Sequence, residues 1–251
     1  MQEHSVDSLL STWVEGKNRQ ERIKADLDQI RKKDLETYSH SLRTTFLAVD
    51  LAKFLGLDPS VFVYAGLVHD YGKTKVPDRV LKKVGRFKEK DYVSMRRHPV
   101  DSFEHMRKRD LLAALIAGMH HMHNAKAYPP SLNLHKYPDS EKLEEKAWEY
   151  SKVLAIADFW DAAVNRTNSR FGRASINLDF IKKEMIRGLP KLGGLINRLF
   201  DEGVFSEEMV RVAQERRILL RAAKAQIRIK ELANTKRGYK AKTKRVVFRK
   251  R

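Results

Sequence analysis

Seven histidine and aspartate residues follow one another along this chain in an order that suits a metal centre. First-row metal ions bind imidazole nitrogens and carboxylate oxygens together, and helices packed in a bundle can direct such side chains into one central pocket. Each of the seven falls inside or at the end of a predicted helix, so their order predicts a metal site between helices. They are His40, the pair His69-Asp70, His98, the pair His120-His121, and Asp158.

Two local spacings strengthen this hypothesis. Glu36 lies four residues before His40, so both project from one helix face, as a carboxylate and an imidazole that share an ion would. Asp158 and Asp161 lie in the apolar run VLAIADFWDAA, where an unpaired buried carboxylate is costly. We interpret Asp158 as a metal ligand. For Asp161, a cap or a salt bridge to an arginine stays an equal alternative.

The segment after His69 predicts what the metal centre acts on. Asp70 is placed to bridge two ions, and Gly72 lets the chain turn sharply so that Lys73 faces the same cavity. A lysine that faces metal ions makes sense only if an anion lies between them. The pattern therefore predicts an anionic substrate.

The composition narrows the ligand types. The chain has no cysteine, which excludes disulfides, thiolate metal sites and cysteine nucleophiles, so any metal must be held by histidines and carboxylates. With nitrogen and oxygen ligands, we expect iron or manganese. A lone histidine on a helix is more often hydrogen-bonded or exposed than a ligand, and we assign four histidines to that class: His4, His105, His123 and His135.

The elements that must position these residues are helices. Apolar residues recur at helical spacing, and no short run alternates β-branched and polar residues, so we predict an all-α chain. We divide it into an N-terminal amphipathic helix (1–34), a central helical bundle (35–212) and a basic helix with a disordered tail (213–251). The predicted helices cover about residues 7–33, 35–55, 58–72, 89–97, 101–107, 110–121, 139–165, 178–187, 192–200 and 206–233, with a loop over 124–138.

The net charge of +19 is concentrated at one end of the 251 residues. Residues 211–251 hold 16 lysines and arginines against two glutamates, which leaves the remainder of the chain nearly balanced. Such a segment suits nucleic acid or an anionic surface as a partner. The N-terminus has no apolar signal core and no stretch approaches 18 uncharged apolar residues, so we expect a cytoplasmic protein with no transmembrane segment.

The order H...HD...H...HH...D resembles the HD phosphohydrolase superfamily. The stretch AGLVHDYGKTKVPDRVLKKVGRFKEKD (65–91), followed by RRHPVDS, is similar to its HD-GYP branch. That branch has HD-x-GK, an Ile-Pro-Asp element, here Val76-Pro77-Asp78, and a His-Pro, here His98-Pro99. ADFWDA (157–162) and DEGVF (201–205) also match. The resemblance covers roughly residues 35–212, which we interpret as an HD-GYP-like phosphohydrolase domain.

The signature loop departs from the branch. The family reads HHE, a glycine-rich turn and GYP, whereas here Met122 follows the two histidines, the turn HNAK has no glycine, and GYP becomes Ala127-Tyr128-Pro129. Ser102 replaces the usual glycine after the His-Pro. Alanine replaces glycine only where φ is negative. The loop could therefore follow another path than in the family and form a different substrate pocket.

The resemblance implies an HD-domain bundle with a central metal site and a metal-dependent phosphodiesterase activity. Its substrate is a cyclic dinucleotide, above all cyclic di-GMP, opened to pGpG or GMP by a hydroxide shared between two or three divalent ions. Asp70 and Lys73 are the implied catalytic residues, and Lys73, Tyr128, Arg166 and Arg170 the substrate contacts. The implied metal ligands, with Glu36 for a third ion, are Glu36, His40, His69, Asp70, His98, His120, His121 and Asp158.

Three alternatives stay open. The domain could hydrolyse another nucleotide, as other members of the superfamily do. It could hold metal but be catalytically silent and act as a nucleotide-binding module. It could also serve chiefly as a nucleic-acid-associated factor through residues 211–251, by attraction to phosphate that carries no sequence specificity.

Overall fold

The computed structural model describes residues 5–83, 85–132, 140–165 and 177–216. All regular elements in these ranges are helical, which confirms the all-α prediction. Residues 207–216 are also helical, and short 3-10 turns cover Tyr71–Lys75, His120–His123 and Pro190–Leu192. The α-helices are α1 (Val6–Trp13), α2 (Lys17–Lys33), α3 (Leu35–Phe54), α4 (Ser60–Val68), α5 (Asp78–Leu81), α6 (Glu89–Arg96), α7 (His98–Met106), α8 (Leu111–Met119), α9 (Ser140–Val164), α10 (Leu178–Gly188) and α11 (Gly193–Asp201).

Side-chain caps fix where several helices begin. Asp34 accepts a hydrogen bond from the backbone N–H of Thr37 at 2.8 Å and starts α3. Asp110 does the same for the N–H of Ala113 at 2.9 Å and starts α8. Each cap satisfies an amide that the helix itself leaves without a partner. These two helices carry or precede candidate ligands, so the caps set the register of the site.

Three predicted helix boundaries are wrong. Residues 7–33 do not form one helix, because Val14 is extended and Gly16 has a φ of 83°, which separates α1 from α2. The helix over 58–72 ends at Val68, and the His69-Asp70 pair lies in the turn that follows. Helix α7 begins at His98 rather than residue 101, since Pro99 is tolerated in a first helical turn.

Helices α3, α4, α8 and α9 form the centre of the bundle. Helix α8 packs against α7 and α9, and α3 packs against α4 and α9. From Val153 to Val164, α9 is buried except for two half-buried residues, as expected for a helix enclosed by others. Gly66 lets α4 approach α3, because a Cβ there would lie 2.7 Å from Thr45 Oγ1. Apart from His98, which begins α7, the candidate ligands among His40, His69, Asp70, His120, His121 and Asp158 lie within these central helices or just after their ends.

The N-terminal helices pack onto this centre. Ile23, Leu27 and Ile30 of α2 are buried in the common core, and α2 contacts α3, α4 and the turn Tyr71–Lys75. The proposed boundaries at residues 34 and 212 stay predictions. No helix in the described ranges is long and apolar enough to cross a membrane. The predicted basic helix is described only as far as residue 216, and the predicted disordered tail lies outside the described residues.

Candidate metal centre

Three of the candidate histidines are oriented by the same local hydrogen bond. Each follows the last turn of a helix, where backbone carbonyls lack a partner four residues later. Each Nδ1–H donates to such a carbonyl three residues earlier, at 2.6 to 2.7 Å: His69 to Gly66, His98 to Met95 and His120 to Ala117. Donation from Nδ1 leaves the lone pair on Nε2, which is the tautomer that binds metal ions.

The Nε2 atoms of His69, His98 and His120 are buried and make no hydrogen bond in the described part of the chain. Burial lowers the pKa of His69 to about 4, and burial together with His69 lowers that of His120 to about 3. Both rings are therefore neutral near pH 7. A buried polar atom without a partner is rare in a folded protein. Three that point into one centre fit a divalent cation.

His40 is held from both sides by carboxylates of α9. Its Nδ1 lies 2.6 Å from Asp161 Oδ2, and its Nε2 lies 2.8 Å from Asp158 Oδ1. Arg43 Nε donates to Asp161 Oδ1 at 2.6 Å, and Asn165 Nδ2 donates to the same oxygen at 2.9 Å. The sequence left open whether Asp161 is a metal ligand or a structural residue, and the structure shows a salt bridge between Asp161 and Arg43. This carboxylate orients His40, while Asp158 faces the centre.

The carboxylates of Asp158 and Asp161 are both ionised. Burial raises the pKa of Asp161, but the hydrogen bond from His40 and the Arg43 guanidinium outweigh it and lower the pKa to about 2. Burial also raises the pKa of Asp158, yet the hydrogen bond with His40 and the neighbouring His121 hold it well below its usual range. These two anions in the buried, apolar part of α9 would therefore balance the positive charge of a metal centre.

Asp70 lies at the middle of the cluster and is fully buried. Its Oδ1 lies 3.2 Å from His98 Nε2, and its Oδ2 lies 3.5 Å from His69 Nε2 and 3.6 Å from His40 Nε2. The nearly buried Lys73 donates to Oδ2 at 2.5 Å. Burial raises the pKa of Asp70, but the Lys73 ammonium and His69 hold it well below its usual range. Its contacts with histidines on two sides suit a bridging carboxylate.

Donor atoms from the predicted ligands converge in three overlapping groups, within each of which they lie no more than 4.8 Å apart. His69 and His120 each belong to two groups, so neighbouring ions could share the cluster. Glu36 is half-buried and belongs to none of the groups found among the described residues. The groups are His98, His120 and His121; His40, His69 and Asp158; and His69, Asp70 and His120.

Gly72 is required for a different reason than the one predicted. Its φ is not positive, so the turn alone does not demand glycine. A Cβ at this position would lie 2.1 Å from the carbonyl oxygen of His98. The Gly72 N–H donates to the buried hydroxyl of Ser102 at 2.8 Å. Ser102, a departure from the family pattern, thus ties the turn that carries Lys73 to the helix that carries His98.

The signature loop lies beside the site as far as the structure describes it. The Tyr128 N–H donates to the His121 carbonyl at 3.3 Å, and the two rings are 4.5 Å apart. The Ala125 N–H donates to the Gly188 carbonyl at 2.8 Å and anchors the loop to α10. No described residue other than glycine has a positive φ, so Ala127 is accommodated without strain. Arg166 and Arg170 lie outside the described residues.

The histidines assigned as non-ligands behave as expected where they are described. His123 Nε2 lies 2.8 Å from Ser151 Oγ, and its ring packs on Trp148. His105 Nε2 lies 2.9 Å from Asp26 Oδ1. His4 and His135 lie outside the described residues.

Sequence reasoning missed the supporting residues Arg43, Asn165 and Asn124. Asn124 Nδ2 lies 3.0 Å from His121 Nδ1. Arg43 follows His40 by three residues on the same helix face, and that spacing was the available signal.

The helical bundle with a histidine and aspartate centre defines an HD domain. The family model for the HD domain matches residues 37–163, and the chain belongs to this family. The predicted resemblance to the superfamily is confirmed, and relatives named as cyclic di-GMP phosphodiesterases agree with the HD-GYP branch.

Several relatives with named activities match part of this chain. The chain is 31% identical over 171 residues to 3'3'-cGAMP-specific phosphodiesterase 1 of Vibrio cholerae, over 66% of this chain and 36% of the relative. It is 30% identical over 143 residues to the cyclic di-GMP phosphodiesterase of Thermotoga maritima, over 53% of this chain and 36% of the relative. The chain thus spans about a third of these relatives.

Among solved structures, the HD domain of the L. monocytogenes phosphodiesterase PgpH aligns with 80% of this chain and 98% of that chain. The sequence identity is 17% and the TM-score is 0.46.

Proposed function

We propose that this chain is a metal-dependent phosphodiesterase that hydrolyses a cyclic dinucleotide, with cyclic di-GMP as the first candidate. The observation that carries the proposal is the set of three buried Nε2 atoms without hydrogen-bond partners around the Asp70–Lys73 pair. Structural polar clusters satisfy their own atoms. The names of the relatives, which specify 3'3'-cGAMP and cyclic di-GMP, support the substrate class.

The residues present suit two divalent ions, and iron or manganese fit their mixed nitrogen and oxygen donors. Divalent ions supply a Lewis acid for phosphoryl oxygens and a bound water of lowered pKa. The ions would be held by His40, His69, Asp70, His98, His120, His121 and Asp158. A third ion with Glu36 as a ligand stays a prediction.

The chain itself supplies charge and position. Lys73 is nearly buried, so its ammonium is a fixed positive charge that can hold a phosphoryl oxygen as negative charge develops on it. Tyr128 lies at the edge of the centre, 4.5 Å from the His121 ring, where its aromatic ring would contact a base of the substrate. Arg166 and Arg170 are expected to hold the second phosphate through charge-assisted hydrogen bonds.

The proposal is tested by incubating the protein, prepared anaerobically with iron or manganese, with cyclic di-GMP, 3'3'-cGAMP and cyclic di-AMP, and separating the products by chromatography. We expect linear dinucleotide or mononucleotide from at least one substrate. A variant with His69→Ala and Asp70→Ala should form no product while its helical circular dichroism is retained. Hydrolysis of nucleoside monophosphates alone would show that the substrate belongs to another class. Binding of a cyclic dinucleotide without turnover would show that the domain is a catalytically silent binding module.

Binding of nucleic acid or an anionic surface through residues 211–251 stays a prediction, as does a cytoplasmic location. Deletion of residues 235–251 should flatten the dependence of nucleic-acid affinity on salt. Hydrolysis should be unchanged, because the candidate ligands all precede residue 160.

A further inference from the structure

Arg96, the last residue of α6, has an unusual setting between two tyrosine rings. Its Cζ lies 5.4 Å from the centre of the Tyr92 ring and 5.9 Å from that of the Tyr128 ring. These distances are in the range of cation–π contact. Tyr92 is itself exposed and packs edge-on against Phe87 at 5.5 Å. The guanidinium is thus held by the faces of aromatic rings on the surface of the protein.

The contacts leave the donor edge of Arg96 open. Within the described part of the chain, its guanidinium makes no hydrogen bond or ion pair. The adjacent Arg97 differs, because its Nε lies 3.4 Å from Asp101 Oδ1. A guanidinium that contacts aromatic rings can still donate hydrogen bonds to a ligand through its N–H groups.

Arg96 borders the metal centre through Tyr128. The Tyr128 ring lies 4.5 Å from the His121 ring and 6.2 Å from the His98 ring. Those two histidines belong to one group of candidate ligands. One aromatic ring therefore separates the guanidinium from the centre at which the phosphodiester would be cleaved. A base stacked at this edge would place its hydrogen-bonding edge within reach of an arginine.

We propose that Arg96 recognises a guanine base of the substrate and determines a preference for guanine-containing cyclic dinucleotides. Guanine presents two acceptors side by side, O6 and N7, which match the two parallel N–H donors of an arginine. Adenine presents N7 beside an amino group, so it satisfies only one of them. This inference rests on the proposed function and names a specificity-determining residue for that site.

The test compares kcat/KM for cyclic di-GMP and cyclic di-AMP in the wild type, Arg96→Lys, Arg96→Ala and Arg97→Ala. Lysine keeps the charge but lacks the two-donor edge. We expect both Arg96 variants to lose about 10- to 100-fold in kcat/KM for cyclic di-GMP, with less than about a twofold change for cyclic di-AMP. Arg97→Ala should change neither, and all variants should keep the metal content of the wild type.

An equal loss for both substrates would identify a phosphate contact and overturn the proposal. Full activity of Arg96→Lys on cyclic di-GMP would overturn it as well. If the wild type hydrolyses neither dinucleotide, the proposed function fails, and equilibrium binding of the same two dinucleotides to the same four proteins decides the role of Arg96. Weaker binding of cyclic di-GMP alone supports it, and equal binding by all four proteins refutes it.

Discussion

Two clusters of charged and polar side chains in the described part of the chain, one around Asp26 and one in the metal centre, differ in whether histidine nitrogen atoms are left without a hydrogen bond. In the cluster around Asp26, Oδ1 lies 2.9 Å from His105 Nε2, and Oδ2 accepts from Arg109 at 2.5 Å and Tyr64 at 3.1 Å. In the metal centre, three histidines keep Nε2 atoms without hydrogen bonds among the described residues. A cluster whose polar atoms all have partners stabilises the packing of helices, whereas a cluster with unpartnered nitrogen atoms suits a bound ligand.

The two clusters also use histidine differently. His105 stacks on Tyr71 with ring centres 3.5 Å apart, and its Nε2 is hydrogen-bonded to Asp26. In His69, Nδ1 donates to a backbone carbonyl and Nε2 points into the metal centre. The nitrogen that makes the hydrogen bond therefore distinguishes His105 from His69.

Among the single substitutions, the largest effect is expected for Lys73→Ala. Loss of a fixed charge on a phosphoryl oxygen costs about 2–4 kcal/mol in the transition state, so kcat should fall roughly 30- to 1000-fold. The metal content should not change, because Lys73 is not a ligand. Lys75→Ala is the matched control, since Lys75 lies in the same turn but its side chain is 56% exposed. Equal turnover of the Lys73 and Lys75 variants would show that Lys73 has no role in catalysis.

Asp26→Ala should affect stability and leave the metal centre intact. It removes the shared acceptor of Tyr64, His105 and Arg109, and loss of one partner in a buried network costs about 2–4 kcal/mol. Urea unfolding measures the change. A loss of metal in this variant would show that the two clusters are not independent.

The Asp26 contribution has a defined pH dependence. Burial raises its pKa, but the hydrogen bonds from His105 and Arg109 outweigh burial and lower it below 3.8. The stabilisation is therefore complete above the unfolded-state pKa and is lost as the pH falls through the lower folded-state pKa. The difference in stability between the wild type and Asp26→Asn should shrink below about pH 4. A difference that grows on acidification would contradict this sign.

A smaller effect on the metal centre is expected for Asp161→Asn. The carboxylate holds His40 Nδ1 at 2.6 Å, and removal of a carboxylate that orients a ligand lowers metal affinity about 10- to 100-fold. Competition with a chelator measures the affinity. Arg43→Lys keeps a positive charge beside Asp161 and should reduce the affinity less. Unchanged affinity in Asp161→Asn would show that packing alone orients His40.

The ligand types could be predicted from the sequence because few side chains bind metal and helical spacing limits where they point. His40 and Asp158 are 118 positions apart, yet the apolar run around Asp158 indicated a buried carboxylate in need of a partner. The break at Gly16 was missed, since the apolar pattern continues across it. The close approach of the His98 carbonyl to Gly72 was also missed, because no local pattern shows which backbone another helix brings near.

The contacts that support the metal ligands could not be predicted either, because they also depend on how distant segments pack. Asn165 joins Asp161 to Arg216, whose Nη1 donates to Asn165 Oδ1 at 3.2 Å. This contact spans 51 positions and depends on how the last described helix packs. Likewise, Ser102 looks like a departure from the family until its hydroxyl is seen accepting the N–H of Gly72.

The central claim is that a buried Nε2 atom without a hydrogen bond marks His69, His98 and His120 as metal ligands, and a comparison of His120 with His123, in the same turn, tests it. Both are buried, but His120 Nε2 has no hydrogen bond in the described structure while His123 Nε2 lies 2.8 Å from Ser151 Oγ. The measurement is the number of metal ions per chain in the wild type, His120→Ala and His123→Ala after anaerobic loading. We predict two or more ions in the wild type and His123→Ala, and fewer in His120→Ala. Metal-free wild type, or equal loss in both variants, would contradict the account.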